Sequence, residues 1–220
     1  MIWHGYSASQ PEADHLEVDG VKLDLRGLPR SLKNQIVEEY FELHKRSLAA
    51  RFLGSDDSVL ELGSGIGFVA LYCQLQLGIG DYVCVEANRH AIRLAERNHA
   101  INGVTPRTIH AAISSENGMI SLNAYPDFGI TSQKEVPSRT LASIAAVPDF
   151  APTALIVGLG GAEQFVRWKE VPASVRTVLI DLYPHDSDYP VAYDVIVELM
   201  AQGFTVTAEE HGTFALTRKQ

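Results

Sequence analysis

The stretch that decides the fold is Val59-Leu60-Glu61-Leu62-Gly63-Ser64-Gly65-Ile66-Gly67-Phe68. A short apolar run leads into a turn rich in glycine, and an apolar segment over 68–77 follows it. This order is typical of a β-strand, a tight turn and a helix. Glycines let a ligand approach the backbone, and the first turn of the helix offers free N–H groups. The stretch therefore predicts a ligand-binding turn in an α/β fold.

Strand-like and helix-like segments alternate outward from this turn. Strands are expected at 82–86, 107–113, 154–157 and 177–182, and helices at 88–102, 162–168 and 191–202. Strands separated by helices imply βαβ units and a parallel sheet. The last segments, 204–208 and 213–217, are typical of an antiparallel hairpin. We expect a doubly wound, Rossmann-like α/β sheet of about seven strands with an antiparallel C-terminal edge hairpin.

The remaining segments predict how a single domain over 1–220 is organised. Residues 1–54 form a cap, with a hairpin over 15–25 that turns at Asp19-Gly20 and an amphipathic helix over 32–52. Residues 55–220 form the core. An insertion over 114–152 lacks a clear amphipathic helix and contains prolines, so we expect a strand near 118–122 and an active-site or substrate loop.

Composition and charge exclude several classes of protein. The formal charge is 18 − 27 = −9, with 46% hydrophobic residues, which is typical of a globular domain and argues against a nucleic-acid partner. Cys73 and Cys84 lie in apolar runs, so buried reduced thiols are expected and a metal site is not. The seven histidines other than His185 show no metal-ligand spacing and are expected mostly at the surface. The first residues lack a secretory pattern and no run is long enough to span a membrane, which predicts a cytoplasmic protein.

The spacing of the turn and its acids indicates the ligand. A NAD fingerprint needs glycine at the sixth position, where this chain has Phe68. Glu61 precedes the first glycine by two residues and would repel a pyrophosphate, but it suits a cationic ligand. Glu86 follows Gly63 by 86 − 63 = 23 residues, near the spacing of about 20 at which an acid binds ribose hydroxyls. These features favour S-adenosylmethionine; the alternatives are a tight turn with two solvated carboxylates and a nicotinamide-dependent oxidoreductase.

Several motifs resemble those of class I S-adenosylmethionine-dependent methyltransferases, and among them the FkbM type, over roughly residues 40–185. Besides the glycine turn, they are Val85-Glu86-Ala87-Asn88, Arg97-Asn98, Asn102-Gly103 and Ala111-Ala112-Ile113-Ser114. Tyr40-Glu42 also resembles a Tyr-Glu feature of the family, and would close over the cofactor or cover the sheet. The resemblance, together with the spacing, implies that the cofactor is bound by Glu61, Gly63, Ser64, Gly65, Gly67, Glu86, Ala87, Asn88, His110 and Ala111.

One segment differs from the FkbM pattern. Where that family has Ile-Asp-Val-Glu-Gly-Ala-Glu, this chain has glycine at 158 and 160, and Ala142 stands where the family has a third acid. Glu163 is retained. The sequence thus leaves open a second hypothesis, a catalytically decayed cofactor-binding module that acts through binding or assembly.

The catalytic candidates follow the fourth and fifth core strands. Ligands of open α/β sheets bind beyond the carboxyl ends of the strands, where Glu163, Asp181 and His185 are expected. We expect Asp181 or His185 to act as the base in methyl transfer to oxygen or nitrogen of a small molecule or sugar. The alternative is that Asp181 caps a turn and His185 is a solvated loop residue. A homodimer is left open.

Overall fold

A computed structural model describes residues 14–122, 134–182 and 192–219. A seven-stranded sheet forms its centre, and a two-stranded and a three-stranded sheet lie beside it. The strands of the large sheet, in chain order, are β3 (Ser58–Leu62), β4 (Asp81–Glu86), β5 (Arg107–His110), β9 (Ala154–Val157), β10 (Thr177–Asp181), β11 (Thr205–Glu210) and β12 (Thr213–Thr217).

The order of strands in the large sheet is β11-β12-β10-β9-β3-β4-β5. The five strands from β10 to β5 are parallel, whereas β12 runs antiparallel to both β10 and β11. Strand order reverses between β3 and β9, which makes their carboxyl ends the topological switch point where ligands of such sheets bind. The predicted fold class and its antiparallel edge hairpin are confirmed.

Helices cover both faces of the large sheet, so the central strands are apolar throughout. On one face, Val59, Ile156 and Leu179 pack against α2 (Leu43–Phe52) and α3 (Phe68–Gln76). On the other, Leu60 and Leu155 pack against α5 (Leu141–Ala145) and α6 (Ala192–Met200). No helix in the described part of the chain has the length and apolar composition needed to cross a membrane.

The N-terminal hairpin matches the prediction. It consists of β1 (His15–Val18) and β2 (Val21–Asp24), joined by Asp19 and Gly20 with φ of 49° and 73°, as a type I′ turn requires. The inward side chains of the hairpin share a core with α3 and with α4 (Arg89–Asn102). The hairpin therefore packs on the two helices that flank β4.

The prediction of a single helix over 32–52 is wrong. The structure has α1 (Arg30–Val37) and α2, separated by a turn in which Glu39 and Glu42 have φ of 62° and 56°. Arg46 is almost fully buried, and its guanidinium donates hydrogen bonds to the carbonyl oxygens of Glu39 and Phe41. These side-chain hydrogen bonds hold the turn, which the helical pattern did not reveal.

Two further boundaries differ from expectation. The third core strand ends at His110, and β6 (Ala112–Ile113) joins the three-stranded sheet with β7 (Gly118–Leu122) and β8 (Lys134–Arg139). The insertion thus contains the expected strand, a second strand and the short helix α5. The helix predicted over 162–168 consists instead of two 3-10 turns, Ala162–Phe165 and Trp168–Glu170. The Glu163 carboxylate, at the start of the first of these turns, accepts hydrogen bonds from the preceding N–H groups of Leu159 and Gly161.

Candidate functional site

A cavity of about 660 Å³ lies over the switch point of the large sheet. Its walls come from the glycine turn, the carboxyl ends of β4 and β10, the α1–α2 junction, and parts of the three-stranded sheet. The predicted site residues on this wall are Gly63, Gly65, Glu86, Ala87, Asn88, Ala111 and Asp181. The structure therefore places most of the predicted cofactor residues around one cavity.

The glycine turn is shaped by close backbone contacts. Gly63 has φ of 82°, and a Cβ there would lie 2.1 Å from the carbonyl oxygen of Gly158. Any other residue at position 63 would force the turn away from β9. The N–H groups of Gly63 and Ser64 both donate to the carbonyl oxygen of Val85. The turn is thus fastened to β4, the strand that carries the second predicted acid.

Glu86 is the predicted acid that faces the cavity. Its carboxylate accepts hydrogen bonds from the N–H groups of Gly65, at 2.8 Å, and Asn88, at 2.7 Å. Burial raises the pKa of Glu86, while these backbone hydrogen bonds favour its charged form. Each carboxylate oxygen has a second lone pair, so Glu86 can also accept hydrogen bonds from a ligand's hydroxyl groups.

Glu61 lies beneath the glycine turn and is only 2% exposed. Its carboxylate accepts a hydrogen bond from the Tyr82 hydroxyl, at 3.0 Å, and burial raises the pKa of Glu61 to about 8. Glu61 points to the face that α2 and α3 cover and is not among the described residues that line the cavity. Its predicted contact with the cofactor remains a prediction.

The other predicted cofactor residues support the cavity wall. Ser64 is buried, and Gly67 begins α3 with φ of 78°. The Asn88 side chain accepts a hydrogen bond from the N–H of His90 and so caps α4. The His110 ring lies 3.0 Å from the carbonyl oxygen of Ala87. Ser64, Gly67 and His110 are outside the described set that lines the cavity.

Asp181 ends β10 and forms a charged cluster at the other side of the cavity. One of its carboxylate oxygens accepts a hydrogen bond from the Thr213 hydroxyl, at 2.8 Å. The other lies 2.9 Å from the ammonium nitrogen of Lys45, which also pairs with Glu42. We call Glu42, Lys45 and Asp181 the ammonium cluster. All three of its members line the cavity.

Opposing effects determine the charge states in the ammonium cluster. Burial disfavours a charged Lys45, but Glu42 and Asp181 outweigh burial and raise the pKa of Lys45. Burial is also the largest influence on Glu42, and together with the nearby Asp181 it raises the pKa of Glu42 despite the attraction of Lys45. Lys45 therefore carries the positive charge that keeps two adjacent carboxylates compatible.

Gly158 explains how Lys45 reaches this position. A Cβ at Gly158 would lie 2.6 Å from the Lys45 ammonium nitrogen and 3.3 Å from an Asp181 carboxylate oxygen. This glycine stands where the FkbM pattern has an acid. In the structure, the glycine leaves the space that the Lys45 side chain fills. The charged group beside this glycine is therefore supplied from α2.

Glu163 and His185 differ from Asp181. Glu163 is fully buried, and its carboxylate accepts hydrogen bonds from the N–H groups of Leu159 and Gly161. It is not among the described lining residues, and its contacts favour a role in holding the 158–161 turn. Burial raises the pKa of Glu163. His185 lies outside the described residues.

Sequence reasoning missed Lys45 and Thr213 as members of the site. Their side chains reach Asp181 from a helix and a strand that are distant in sequence. It also placed His99 at the surface, whereas His99 is buried and desolvation lowers its pKa to about 4. Cys73 and Cys84 are buried free thiols, as predicted. The only sequence signal near Lys45 is the Tyr40-Glu42 resemblance, which lies on the same junction.

Comparisons with known proteins find similarity to methyltransferases in part of the sequence and in the fold. Residues 44–124 match the family model described as the methyltransferase small domain. No curated protein sequence matches the chain. The match spans β3, β4 and the glycine turn, and so includes the elements that form the Glu86 side of the cavity.

Three solved structures share the fold at low sequence identity. A Geobacter metallireducens precorrin-6y C5,15-methyltransferase is 13% identical, with a TM-score of 0.50 over 80% of this chain and 85% of that one. A Streptococcus pneumoniae protein assigned as a tRNA (m1A22) methyltransferase, in complex with S-adenosyl-L-methionine, is 14% identical. Its TM-score is 0.51, and the match covers 80% of this chain and 73% of that one.

The third structure is the methyltransferase FkbM of Methylobacillus flagellatus. It is 11% identical, with a TM-score of 0.51 over 74% of this chain, which spans 44% of the FkbM chain. The family model and the bound S-adenosyl-L-methionine in one of these structures support the predicted cofactor. The chain therefore has the fold of class I S-adenosylmethionine-dependent methyltransferases, and its segment 44–124 carries the sequence pattern of the methyltransferase small domain.

Proposed function

We propose that this protein is an S-adenosylmethionine-dependent methyltransferase that resembles the FkbM type and methylates oxygen or nitrogen of a small molecule or sugar. The charge of the cavity is the observation that carries the proposal. The described lining contains the carboxyl groups of Glu42, Glu86 and Asp181 and the ammonium of Lys45, a formal net charge of 1 − 3 = −2 when all three carboxyl groups are ionised and His44 is neutral. Such a wall repels a pyrophosphate and attracts a ligand with ammonium and sulfonium groups.

Glu86 and the glycine turn would hold the cofactor. The N–H groups of Gly65 and Asn88 fix the Glu86 carboxylate. Each of its oxygens keeps a free lone pair, so Glu86 can accept hydrogen bonds from both ribose hydroxyls. Ala87 and Ala111 offer apolar wall nearby for the adenine ring. This side of the cavity fits a ribose-bearing cofactor without phosphate.

Asp181 would act on the acceptor. S-adenosylmethionine, when bound, supplies a methyl group on a sulfonium, so a bond forms between the acceptor atom and carbon as the carbon–sulfur bond breaks. The acceptor's proton passes to Asp181, which lies on the cavity wall with its charge balanced by Lys45. His185 is the other candidate base. The cavity volume of about 660 Å³ is within the range for small-molecule sites, and the cofactor would occupy part of it.

A second candidate function is a cofactor-binding module without catalysis. The glycines at 158 and 160, and Ala142, are the observation in its favour, because acids stand at these places in the FkbM pattern. This module would bind the cofactor as tightly as an enzyme does. It would transfer no methyl group to hydroxyl-bearing or amine-bearing acceptors.

Thermal-shift titration tests the cofactor. S-adenosylmethionine and S-adenosylhomocysteine should each raise the melting temperature, because a ligand that prefers the native state stabilises it; NAD should not. Glu86→Gln should weaken this stabilisation, whereas Glu96→Gln, a matched change at an exposed position of α4, should not. Stabilisation by NAD alone would overturn the proposal. Tight cofactor binding with no transfer to sugars, alcohols or amines would favour the non-catalytic module.

A further inference from the structure

Asn98 is a fully buried amide at the meeting point of three elements. It lies on α4 and is 0% exposed. Its Nδ2 donates a hydrogen bond to the carbonyl oxygen of Ile66 in the glycine turn, at 2.9 Å. Its Oδ1 accepts a hydrogen bond from the N–H of Asp24 at the end of the N-terminal hairpin, at 2.8 Å. One side chain therefore joins the hairpin to the turn that forms the cavity wall.

The Ile66 carbonyl belongs to a peptide group that is fixed at both ends. The N–H of Gly67, on the other side of this peptide bond, donates to the carbonyl oxygen of Ser64. The preceding residue, Gly65, donates its own N–H to the Glu86 carboxylate on the cavity wall. Rotation of the Ile66–Gly67 peptide would turn the Gly67 N–H away from the Ser64 carbonyl oxygen and break this hydrogen bond inside the glycine turn. Asn98 thus binds the turn next to Gly65, whose N–H holds the Glu86 carboxylate on the cavity wall.

The hairpin side of the contact is equally constrained. Asp24 is 1% exposed, and its carboxylate binds the guanidinium groups of Arg26, at 2.7 Å, and Arg97, at 3.1 Å. The hydrogen bond from the Arg26 side chain has the largest effect on the pKa of Asp24 and lowers it to about 2. The backbone of Asp24 is therefore held in place beside Asn98.

A second asparagine of α4 provides a natural control. Asn102 accepts a hydrogen bond from the N–H of Lys22, at 3.0 Å, and donates one to the carbonyl oxygen of Lys22, at 2.7 Å. It ties the same hairpin to the same helix as Asn98 does. Asn102 also donates to the carbonyl oxygen of Asn98, at 2.7 Å, but among the described residues no hydrogen bond joins its side chain to the glycine turn. Asn98 differs because it hydrogen-bonds to both the hairpin and the turn.

We propose that Asn98 is a positioning residue of the cofactor site, which couples the N-terminal hairpin to the glycine turn. Its removal leaves the buried Ile66 carbonyl and the Asp24 N–H without partners, and an unpaired buried polar group is costly. The turn then relaxes toward other peptide orientations, and ligand binding must restore the bound one. The hairpin belongs functionally to the cofactor site although none of its described residues lines the cavity.

The test measures the dissociation constant of S-adenosylhomocysteine by calorimetry, and it rests on the proposed function. Asn98→Ala should weaken binding about tenfold, equivalent to about 1.4 kcal/mol, whereas Asn102→Ala should change it less than about twofold even where both variants lose similar stability. Asn98→Asp keeps the acceptor for Asp24 but loses the donor to Ile66, so it should weaken binding as Asn98→Ala does.

Hydrogen exchange in the wild-type protein keeps the proposal testable if these variants fail to fold. Adding S-adenosylhomocysteine should slow exchange of the Asp24 amide together with the amides of the glycine turn. Protection of the turn without protection of Asp24, or equal affinities of the Asn98 and Asn102 variants, would overturn the coupling alone. A wild-type protein that does not bind S-adenosylhomocysteine would overturn the proposed function and the coupling with it.

Discussion

The two sides of the cavity are built in different ways. On the β3–β4 side, Glu86 and the glycine turn come from one strand–turn–helix unit and the strand beside it, and backbone N–H groups hold the carboxylate. On the β9–β10 side, Asp181 is held by Lys45 from α2 and Thr213 from β12. The first side is local in sequence, whereas the second is assembled from distant segments.

This difference concerns energetics as well as topology. Backbone N–H groups are neutral dipoles that remain in place whatever the charge of Glu86. The ammonium cluster instead depends on a balance of one positive and two negative groups in a mostly buried position, where removing one partner leaves an uncompensated charge. The β9–β10 side should therefore be the more sensitive to substitution.

Lys45→Met should produce the largest effect. It removes the only ammonium of the ammonium cluster and leaves Glu42 and Asp181 facing each other, so we expect a loss of about 3–5 kcal/mol in the free energy of unfolding at pH 7. Urea denaturation followed by circular dichroism measures it. The loss should shrink at pH 4, because burial raises the pKa of Glu42 and so favours its protonated form there, and a protonated carboxyl group needs no positive partner.

A double variant provides the control for Lys45. Lys45→Met combined with Asp181→Asn leaves a single carboxylate in the ammonium cluster, and it should be more stable than Lys45→Met alone. If Lys45→Met unfolds at the same urea concentration as the wild-type protein, the two sides of the cavity do not differ as proposed.

The β3–β4 side was predictable because its signals are close together in sequence. A strand, glycines at fixed positions and an acid at the end of the next strand are enough to place Gly63, Gly65 and Glu86 on one wall. Sheet topology followed from the alternation of strands and helices for the same reason. The parallel core and the antiparallel edge depend on segment order rather than on individual contacts.

The β9–β10 side was not predictable in this way. No local pattern relates Lys45 to Gly158, since the contact exists only because a glycine directly after β9 leaves room for a side chain from α2. The turn that separates α1 from α2 depends on hydrogen bonds from the buried Arg46, which the amphipathic pattern does not contain. Tertiary contacts override local propensity at both places.

Glu61 gives the second prediction, on the β3–β4 side. The folded-state pKa of Glu61 is about 8, above its ordinary value, so the folded protein favours the protonated form. Stability from this group is fully present below the unfolded pKa and is lost as pH rises through about 8. Glu61→Gln mimics the protonated form and keeps the acceptor for Tyr82. At pH 9 we expect the free energy of unfolding of this variant to exceed that of the wild-type protein by on the order of 3 kcal/mol.

Comparing the two proteins at two pH values isolates this effect. At pH 4.5 the free energies of unfolding of Glu61→Gln and wild type should be nearly equal, and the difference should grow between pH 5 and 8. A variant with the same pH dependence as wild type would show that Glu61 is charged in the folded state. Glu61 would then resemble Asp181, and the contrast between the two sides would be weaker.

Thr213→Val should have the smallest effect and tests the neutral part of the β9–β10 side. The hydroxyl of Thr213 donates to Asp181 and is 4% exposed, while valine has the same shape and favours strands. We expect a loss of about 1 kcal/mol in the free energy of unfolding, because Asp181 keeps Lys45 as a partner. Thr207→Val, at an exposed position of β11, should change stability by less than about 0.5 kcal/mol. If Thr213→Val loses as much stability as Lys45→Met, Asp181 is held mainly by the Thr213 hydroxyl. Losing one neutral hydrogen-bond donor would then cost as much as losing the positive charge of Lys45.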